Sequence, residues 1–229
     1  MKIDLGVIIT PKFSWTMHIT SIVNKANRVM GLIKRTVGYR AVIQVNKQLY
    51  TSLVRGSLEY CSSVWGGMTV HDTVLIERVQ RAATRFILHF PVLNYHERLM
   101  KLHILPLTLR RDYLDVCMFF KYSNNMVFNV SANKYVTFKK TSGINTRSEN
   151  NPMKLCIPLT KTITYQKSFF NRIVFMWNAI PMEIRIIHDS KVFKQNLFNW
   201  FQYLLANNFN SDNVCTWQIV CRCTKCRLV

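Results

Sequence analysis

The sequence predicts a mainly α-helical protein: a helical bundle with a short N-terminal strand, and a second helical region with a few short strands. Two observations predict this fold class. Apolar residues recur every three or four positions over several long segments, which is the period of amphipathic helices. Stretches with the alternation typical of strands are few and short. At 229 residues, the chain is long enough for one large domain or two small ones.

The first element is a short apolar run from Ile3 to Ile9, which predicts a strand that Pro11 ends. The run has no partner nearby in the sequence. We therefore expect residues 1–12 to complete a larger sheet or to lie at its edge.

Three amphipathic helices are predicted between residues 13 and 90, approximately at 15–37, 45–64 and 73–90. Asp72 or Thr73 is expected to cap the third. Similar lengths and short connections indicate that the three helices pack as a compact bundle.

Residues 91–206 are predicted to form a helical extension that a long loop at 123–152 interrupts. The loop is rich in Asn, Ser, Thr and Lys, and it is expected to hold one strand, Lys134–Lys139. A second short strand is expected within residues 153–164. Residues 207–229 form a cysteine-rich tail.

The charge of the chain points to an anionic partner. The sequence has 31 Lys and Arg against 11 Asp and Glu, which gives a formal net charge of +20. A basic surface of this size concentrates polyanions, so nucleic acid is the first candidate and an anionic membrane surface the second.

Several features predict an intracellular protein without a membrane span. No apolar run approaches the roughly 20 residues that cross a bilayer. The first residues lack the regions of a signal peptide. An odd number of cysteines, 7, fits a reducing compartment better than a disulfide framework.

Cations at helical spacing are the candidate nucleic-acid contacts. On the third predicted helix, Arg78, Arg81 and Arg85 lie at i, i+3 and i+7 and form one stripe. A solvated helix face carries the same pattern, so the stripe alone fits both interpretations. The candidates on the first two helices are Lys25, Arg28, Lys34, Arg35 and Arg55.

The large aromatic residues also allow two interpretations. Aromatic rings can stack on bases. Their helical spacing together with Leu and Ile favours the hydrophobic core instead. The residues concerned are Trp15, Trp65, Phe86, Trp177 and Trp200.

Zinc is the one cofactor that the sequence suggests for this chain. Cys215, Cys221, Cys223 and Cys226 have the spacing C-x5-C-x-C-x2-C, and four thiolates can complete a tetrahedral site. Only the last pair has the C-x2-C gap of a zinc knuckle. The alternative is a disordered or out-of-frame tail.

The motifs of three familiar enzyme classes are missing from the sequence. It contains no Walker loop, no glycine-rich dinucleotide fingerprint and no G-x-S-x-G elbow. We therefore predict no catalytic residue in this chain.

Ordered segments between residues 3 and 200 resemble one known family. In chain order they are Asp4-Leu5-Gly6-Val7, Trp15, His18-Ile19, Lys25-Ala26-Asn27, 49–55, 58–65, 76–83, Arg85-Phe86-Ile87, Leu105-Pro106-Leu107, Arg110-Arg111, Thr146-Arg147, 167–170 and 177–181. They resemble the end of the palm, the thumb and the following extension of jockey-like LINE (non-LTR) retrotransposon reverse transcriptases. Gly56 departs from the pattern, because the family commonly has proline there.

The resemblance implies a role for each part of the chain. Residues 1–12 would be a remnant of a palm strand, and residues 13–90 a thumb-like bundle that holds a template–primer duplex or element RNA. The family is an RNA-directed DNA polymerase that holds two divalent metal ions with paired aspartates. This sequence has no Asp-Asp pair. The metal-binding core would lie before residue 1, and we expect the chain to be inactive as a polymerase.

Two further hypotheses stay open at this stage. The bundle is also compatible with a domesticated scaffold that binds the palm and fingers or another protein through an exposed apolar face. The chain is also compatible with the product of a decayed element without a function.

Overall fold

The computed structural model describes residues 2–89, 92–127, 132–139 and 153–208, and these residues are mainly helical, as the sequence predicts. Among the described residues, the chain divides into two compact units, one up to Arg111 and one that begins at Asp112 and ends at Asn207. This division differs from the boundary that the sequence analysis placed at residues 90 and 91. Helix α6 and the start of α7, described below, belong to the first unit.

The N-terminus forms a hairpin, so the prediction of a single strand without a nearby partner was wrong. Strand β1 (Lys2–Asp4) pairs antiparallel with β2 (Val7–Ile9). Leu5 and Gly6 form the turn with φ angles of 44° and 82°. Positive φ at both central residues matches the twist of a tight hairpin, and glycine adopts it without strain.

Helix α1 (Thr16–Thr36) follows the predicted periodicity. Its buried residues are His18, Ile19, Ala26, Met30 and Ile33. The backbone N–H of Ile8 donates to Nδ1 of His18 at 3.4 Å, which links the hairpin to α1. Burial lowers the pKa of His18 and favours the neutral ring that can accept this bond. His18 is thus a packed core histidine, 2% exposed.

The second predicted helix is shorter and less regular than expected. After a 3₁₀ turn at Gly38–Arg40, the chain forms α2 (Ile43–Leu49), a π-helical turn (Tyr50–Arg55) and α3 (Gly56–Glu59). The helix ends there because the backbone leaves the helical region at Tyr60, with a ψ of 126°, and Cys61 follows with a φ of 52°. The short α4 (Ser62–Trp65) follows.

Capping side chains fix the next two helices. Thr69 caps α5 (Val70–Leu88), and not Asp72 or Thr73 as predicted; its Oγ1 accepts from the N–H of Asp72 at 3.2 Å. Asp72 occupies the third helical position, where its carboxylate accepts from the Thr69 hydroxyl. Asn94 and Glu97 form a capping box at α6 (Tyr95–Leu102), and α7 (Leu107–Ser123) follows.

The second unit is built from helices around an aromatic core. Its helices after α7 are the 3₁₀ turn Ala132–Lys134, α8 (Ile163–Gln166), α9 (Phe169–Ala179), α10 (Met182–Arg185) and α11 (Ser190–Asn208). Phe119 lies edge-on to Trp177, with centroids 4.9 Å apart, and Phe120 stacks on Phe193 at 4.0 Å. The predicted strands at 134–139 and 153–164 are reduced to one bridge between Phe138 and Leu155.

A buried ion pair joins α7 to α9 within this unit. Nη2 and Nε of Arg172 donate to Oδ2 of Asp115 at 2.6 and 3.0 Å. Both side chains are 2% exposed. Arg172 also donates to the carbonyl of Lys167 at 3.1 Å. The pair therefore links the two helices. Removing only one of its two partners would leave the other as a buried, uncompensated charge.

Candidate nucleic-acid interface

The arginine stripe of α5 lies at the surface of the first unit. Arg78 and Arg85 are exposed and Arg81 is half-buried. The opposite face of the helix carries Ile76, Val79, Ala83 and Ile87, all buried. The stripe therefore has the exposure that contact with a phosphate backbone requires.

Helices α1 and α5 lie side by side and run in the same direction. Near their starts, the Thr16 hydroxyl donates to Oδ2 of Asp72 at 3.2 Å. Near their ends, Nζ of Lys34 lies 5.8 Å from the ring centroid of Phe86. Lys34 of α1 thus lies close to the end of α5 that carries Arg85. Cations in the last turn also offset the helix dipoles, which is a structural role for the same residues.

The other cations of α1 are exposed along the helix. Lys25, Arg28 and Arg35 all face solvent. Arg28 and Arg35 border a groove of about 830 Å³ with Asn24, Asn27 and Gly31. A Cβ added at Gly31 would meet nothing within 4 Å, so the surface beside it is open. The two asparagines were not among the predicted contacts; both are exposed, and their amides can donate and accept hydrogen bonds.

Arg55 differs from the other candidates because it is largely buried and paired. Its Nε lies 3.1 Å from Oε1 of Glu59, and Nε of Arg110 donates to the same oxygen at 3.1 Å. Burial lowers the pKa of Arg55, and the charge of Arg110 acts in the same direction. Arg55 is therefore not an exposed cation of the kind that the other candidates provide.

The carboxylates of the first unit are mostly committed to structural roles. Up to residue 111 the sequence has sixteen Lys and Arg but only five Asp and Glu. Four of the five acids pair with arginines, cap helices or are buried: Glu59, Asp72, Glu77 and Glu97. In the part of the chain that the structure describes, no carboxylate forms an ion pair with Arg78 or Arg85. The surface of α5 consequently keeps a net positive charge.

Three arginines converge on a cavity at the end of the stripe, which we call the arginine pocket. It has a volume of about 530 Å³ and is lined by Arg81, Arg85, Val92, Leu93, Asn94, Tyr95 and Arg98. Arg98 was not among the predicted nucleic-acid contacts, because it does not lie on the α5 stripe. The Asn-x-x-Glu capping signal at 94–97 marks the start of α6 and places Arg98 in its first turns.

A buried hydrogen-bond network supports one wall of the arginine pocket. Oε1 of Glu77 accepts from the hydroxyl of Tyr95 and from the N–H of Leu107, the latter at 3.2 Å. Gln80 donates to the Tyr95 hydroxyl and to the carbonyl of Leu105, both at 3.0 Å. The Tyr50 hydroxyl donates to Gln80 at 2.8 Å. The network ties α6 and the start of α7 to α5.

Glu77 is expected to make stability depend on pH. Burial raises the pKa of Glu77, although its bond from Tyr95 and the charge of Arg111 oppose the shift. A raised pKa in the folded state means that stability is fully present below the unfolded pKa of glutamate and falls as pH rises through the folded pKa. Glu77→Gln keeps the two accepted bonds without a charge. Urea unfolding from about pH 4 to 8 should show a flatter fall for this variant.

The exposed carboxylate of Asp4 provides the control for this prediction. Asp4→Asn should show the same change of unfolding free energy with pH as the wild type, because the residue lies at the surface of the hairpin. An equally steep fall in Glu77→Gln and in the wild type would show that another group causes it.

Three of the five aromatic candidates lie in the core and not on the surface. Trp65 and Trp177 are 0% exposed, and Phe86 is 3% exposed. Trp15 and Trp200 are half-buried. The interpretation as core residues is confirmed for the first three, which cannot stack on a base in this fold.

The zinc prediction lies outside the described residues, since all four of its cysteines follow residue 208. Within the described ranges, no three His, Cys, Asp or Glu side chains come together as a metal site. No helix in those ranges is both long and apolar enough for a bilayer. Comparison with protein-family models, curated proteins and solved structures yields no match to the chain.

Proposed function

We propose that this chain binds nucleic acid through the basic surface of α5 and α1, as a thumb-like and non-catalytic segment of a retrotransposon RNA-directed DNA polymerase. Arg78, Arg81 and Arg85 contact consecutive phosphates of a template–primer duplex or of element RNA. The observation that carries the proposal is the commitment of nearby carboxylates to caps, pairs and the core, which leaves these arginines at a positive surface. A solvated face needs no such imbalance.

The mode of binding follows from the residue types. Arginine forks match phosphate oxygens, and contacts to the backbone carry no base sequence. The cations of α1 extend the surface, because α1 and α5 are adjacent and parallel. We therefore propose a grip that depends on salt and tolerates any sequence.

Binding of the purified chain to an RNA–DNA hybrid across a salt series tests the proposal. Affinity should fall steeply with salt, because each neutralised phosphate releases counterions. In the variant Arg78→Ala/Arg81→Ala/Arg85→Ala, the slope of log affinity against log salt should become shallower by up to about 0.9 for each phosphate that is no longer neutralised.

A matched control removes three exposed lysines from the second unit. Lys161→Ala/Lys167→Ala/Lys191→Ala changes the net charge equally, and all three side chains are exposed. Equal loss of affinity and slope in the two triple variants would mean that binding follows net charge alone, which contradicts the proposed grip.

A second candidate function is a protein-interaction scaffold, which an exposed apolar patch favours. The Tyr60 hydroxyl donates to the carbonyl of Leu5 at 3.0 Å, and these side chains are 53% and 82% exposed. Ile3 and Val64 on the neighbouring elements are also exposed. Exposed apolar clusters are typical of protein contacts. A protein, and no RNA, in pull-downs with the intact chain would favour this function.

A further inference from the structure

The arginine pocket differs from the open stripe because its guanidinium groups are held around one ring. Cζ of Arg81 lies 4.4 Å from the ring centroid of Tyr95, and Cζ of Arg98 lies 5.6 Å from it. Tyr95 is itself fixed by its bond to Glu77. The buried network thus fixes the Tyr95 ring, and contact with this ring restricts the guanidinium groups of Arg81 and Arg98.

Two hydrogen bonds hold the guanidinium of Arg98 in place. Its Nε donates to Oγ1 of Thr84 at 3.1 Å, and its Nη1 donates to the carbonyl of Leu93. The residue is 3% exposed, yet it lines the cavity. Both acceptors are uncharged, so neither hydrogen bond neutralises the guanidinium beside the pocket.

The electrostatics of the pocket favour an anion. Burial lowers the pKa of Arg98, and the charges of Arg85 and Arg81 lower it further, while Tyr95 and Glu97 oppose the shift. None of the described residues that line the pocket is acidic. Of the carboxylates nearby, Glu77 lies in the buried network and Glu97 accepts from the N–H of Asn94 at 2.8 Å. A bound anion would relieve the repulsion among the three arginines.

The shape of the pocket favours the end of a strand over its interior. A cavity of about 530 Å³ is large enough for a nucleotide-sized ligand. A phosphodiester inside a strand has one negative charge and must continue in two directions. A terminal phosphate monoester has a charge near −2 at pH 7 and only one continuation, which suits a concave site with three arginines.

We propose that the arginine pocket binds the 5′-phosphate end of a nucleic-acid strand. The inference rests on the proposed function, because Arg78 on the same helix face then contacts the body of the strand. Arg81, Arg85 and Arg98 surround the phosphate oxygens of that end.

The test compares a 5′-phosphorylated RNA of about twelve nucleotides with its 5′-hydroxyl counterpart on the full chain. The phosphorylated RNA should bind about tenfold more tightly, as charge-assisted hydrogen bonds to one added dianion predict. Equal affinities for the two RNAs overturn the proposal.

Two exposed arginines of α5 provide the variant and its control. Arg85→Ala removes a pocket residue and should reduce the phosphate preference below about twofold. Arg78→Ala removes the same charge from the same helix outside the pocket. It should lower the affinity for both RNAs and leave the ratio of the two affinities unchanged. Loss of the preference in both variants, or in neither, overturns the assignment to the pocket.

Further probes separate the sources of the same phosphate chemistry. Adenosine monophosphate and inorganic phosphate should compete only weakly, because they lack the strand that contacts Arg78. A mononucleotide or a phosphoserine peptide that binds as tightly as the phosphorylated RNA overturns the strand-end assignment. The proposed duplex grip can fail while the pocket proposal stands. If the phosphorylated RNA keeps its higher affinity but Arg78→Ala does not change the affinity for the hybrid duplex, the pocket is supported and the duplex grip is contradicted.

Discussion

Asp115→Ala is expected to lower the free energy of unfolding of the second unit by about 3–5 kcal/mol. The substitution leaves Arg172 buried without the carboxylate that its Nε and Nη2 contact. Its bond to the carbonyl of Lys167 does not neutralise the charge in this environment. Urea unfolding, together with hydrogen exchange of the α9 amides, measures the loss.

Two further variants distinguish a broken ion pair from a general loss of packing. Lys191→Ala removes an exposed charge from the same unit and should change stability by no more than about 0.5 kcal/mol. Asp115→Leu combined with Arg172→Met removes both charges and should recover most of the loss. A double variant as unstable as Asp115→Ala would contradict the explanation through the unpaired charge.

Trp65→Ala is expected to destabilise the first unit by about 3–5 kcal/mol, because a fully buried indole leaves a large cavity. The ring packs edge-on to His18 with centroids 5.8 Å apart, and its Nε1 donates to the carbonyl of Tyr60 at 2.9 Å. The truncation therefore also leaves a carbonyl without its donor. Protection of the α1 amides from hydrogen exchange should decrease accordingly.

The half-buried Trp15 serves as the matched control for this prediction. Trp15→Ala removes the same side chain from the same unit, beside the start of α1, and should cost clearly less. If Trp65→Ala instead kept the stability of the wild type and lost only RNA affinity, Trp65 would be a base-stacking residue and its place in the core would be contradicted.

Periodicity predicted the long helices well because burial of one face decides their existence. Ile19, Ala26, Met30 and Ile33 of α1 are buried as their spacing predicts. The helix from 45 to 64 was predicted too long, since apolar spacing continues through Cys61 although the backbone there is left-handed. The prediction of a lone N-terminal strand was wrong because Gly6 allows a tight turn, and this turn divides the apolar run into two paired strands.

Pairing between distant residues could not be predicted from one sequence. Asp115 and Arg172 are 57 positions apart, and a charged residue inside an apolar helix gives no sign of its partner. Arg98 was missed for the same reason, because its contribution to the arginine pocket depends on the packing of α6 against α5. The exposed stripe on α5 was predictable, since three arginines on one helix face need only the helical period.

The parallel packing of α1 and α5 has a consequence for the chain during its synthesis. The apolar face of α1, which ends at Thr36, gains this cover only after the ribosome has added α5, which ends at Leu88. At typical elongation rates, that interval lasts roughly 3–10 s. Local pairs such as the hairpin assemble within it, but the contact between α1 and α5 must wait. A nascent α1 is therefore a surface that a chaperone would recognise before the bundle closes.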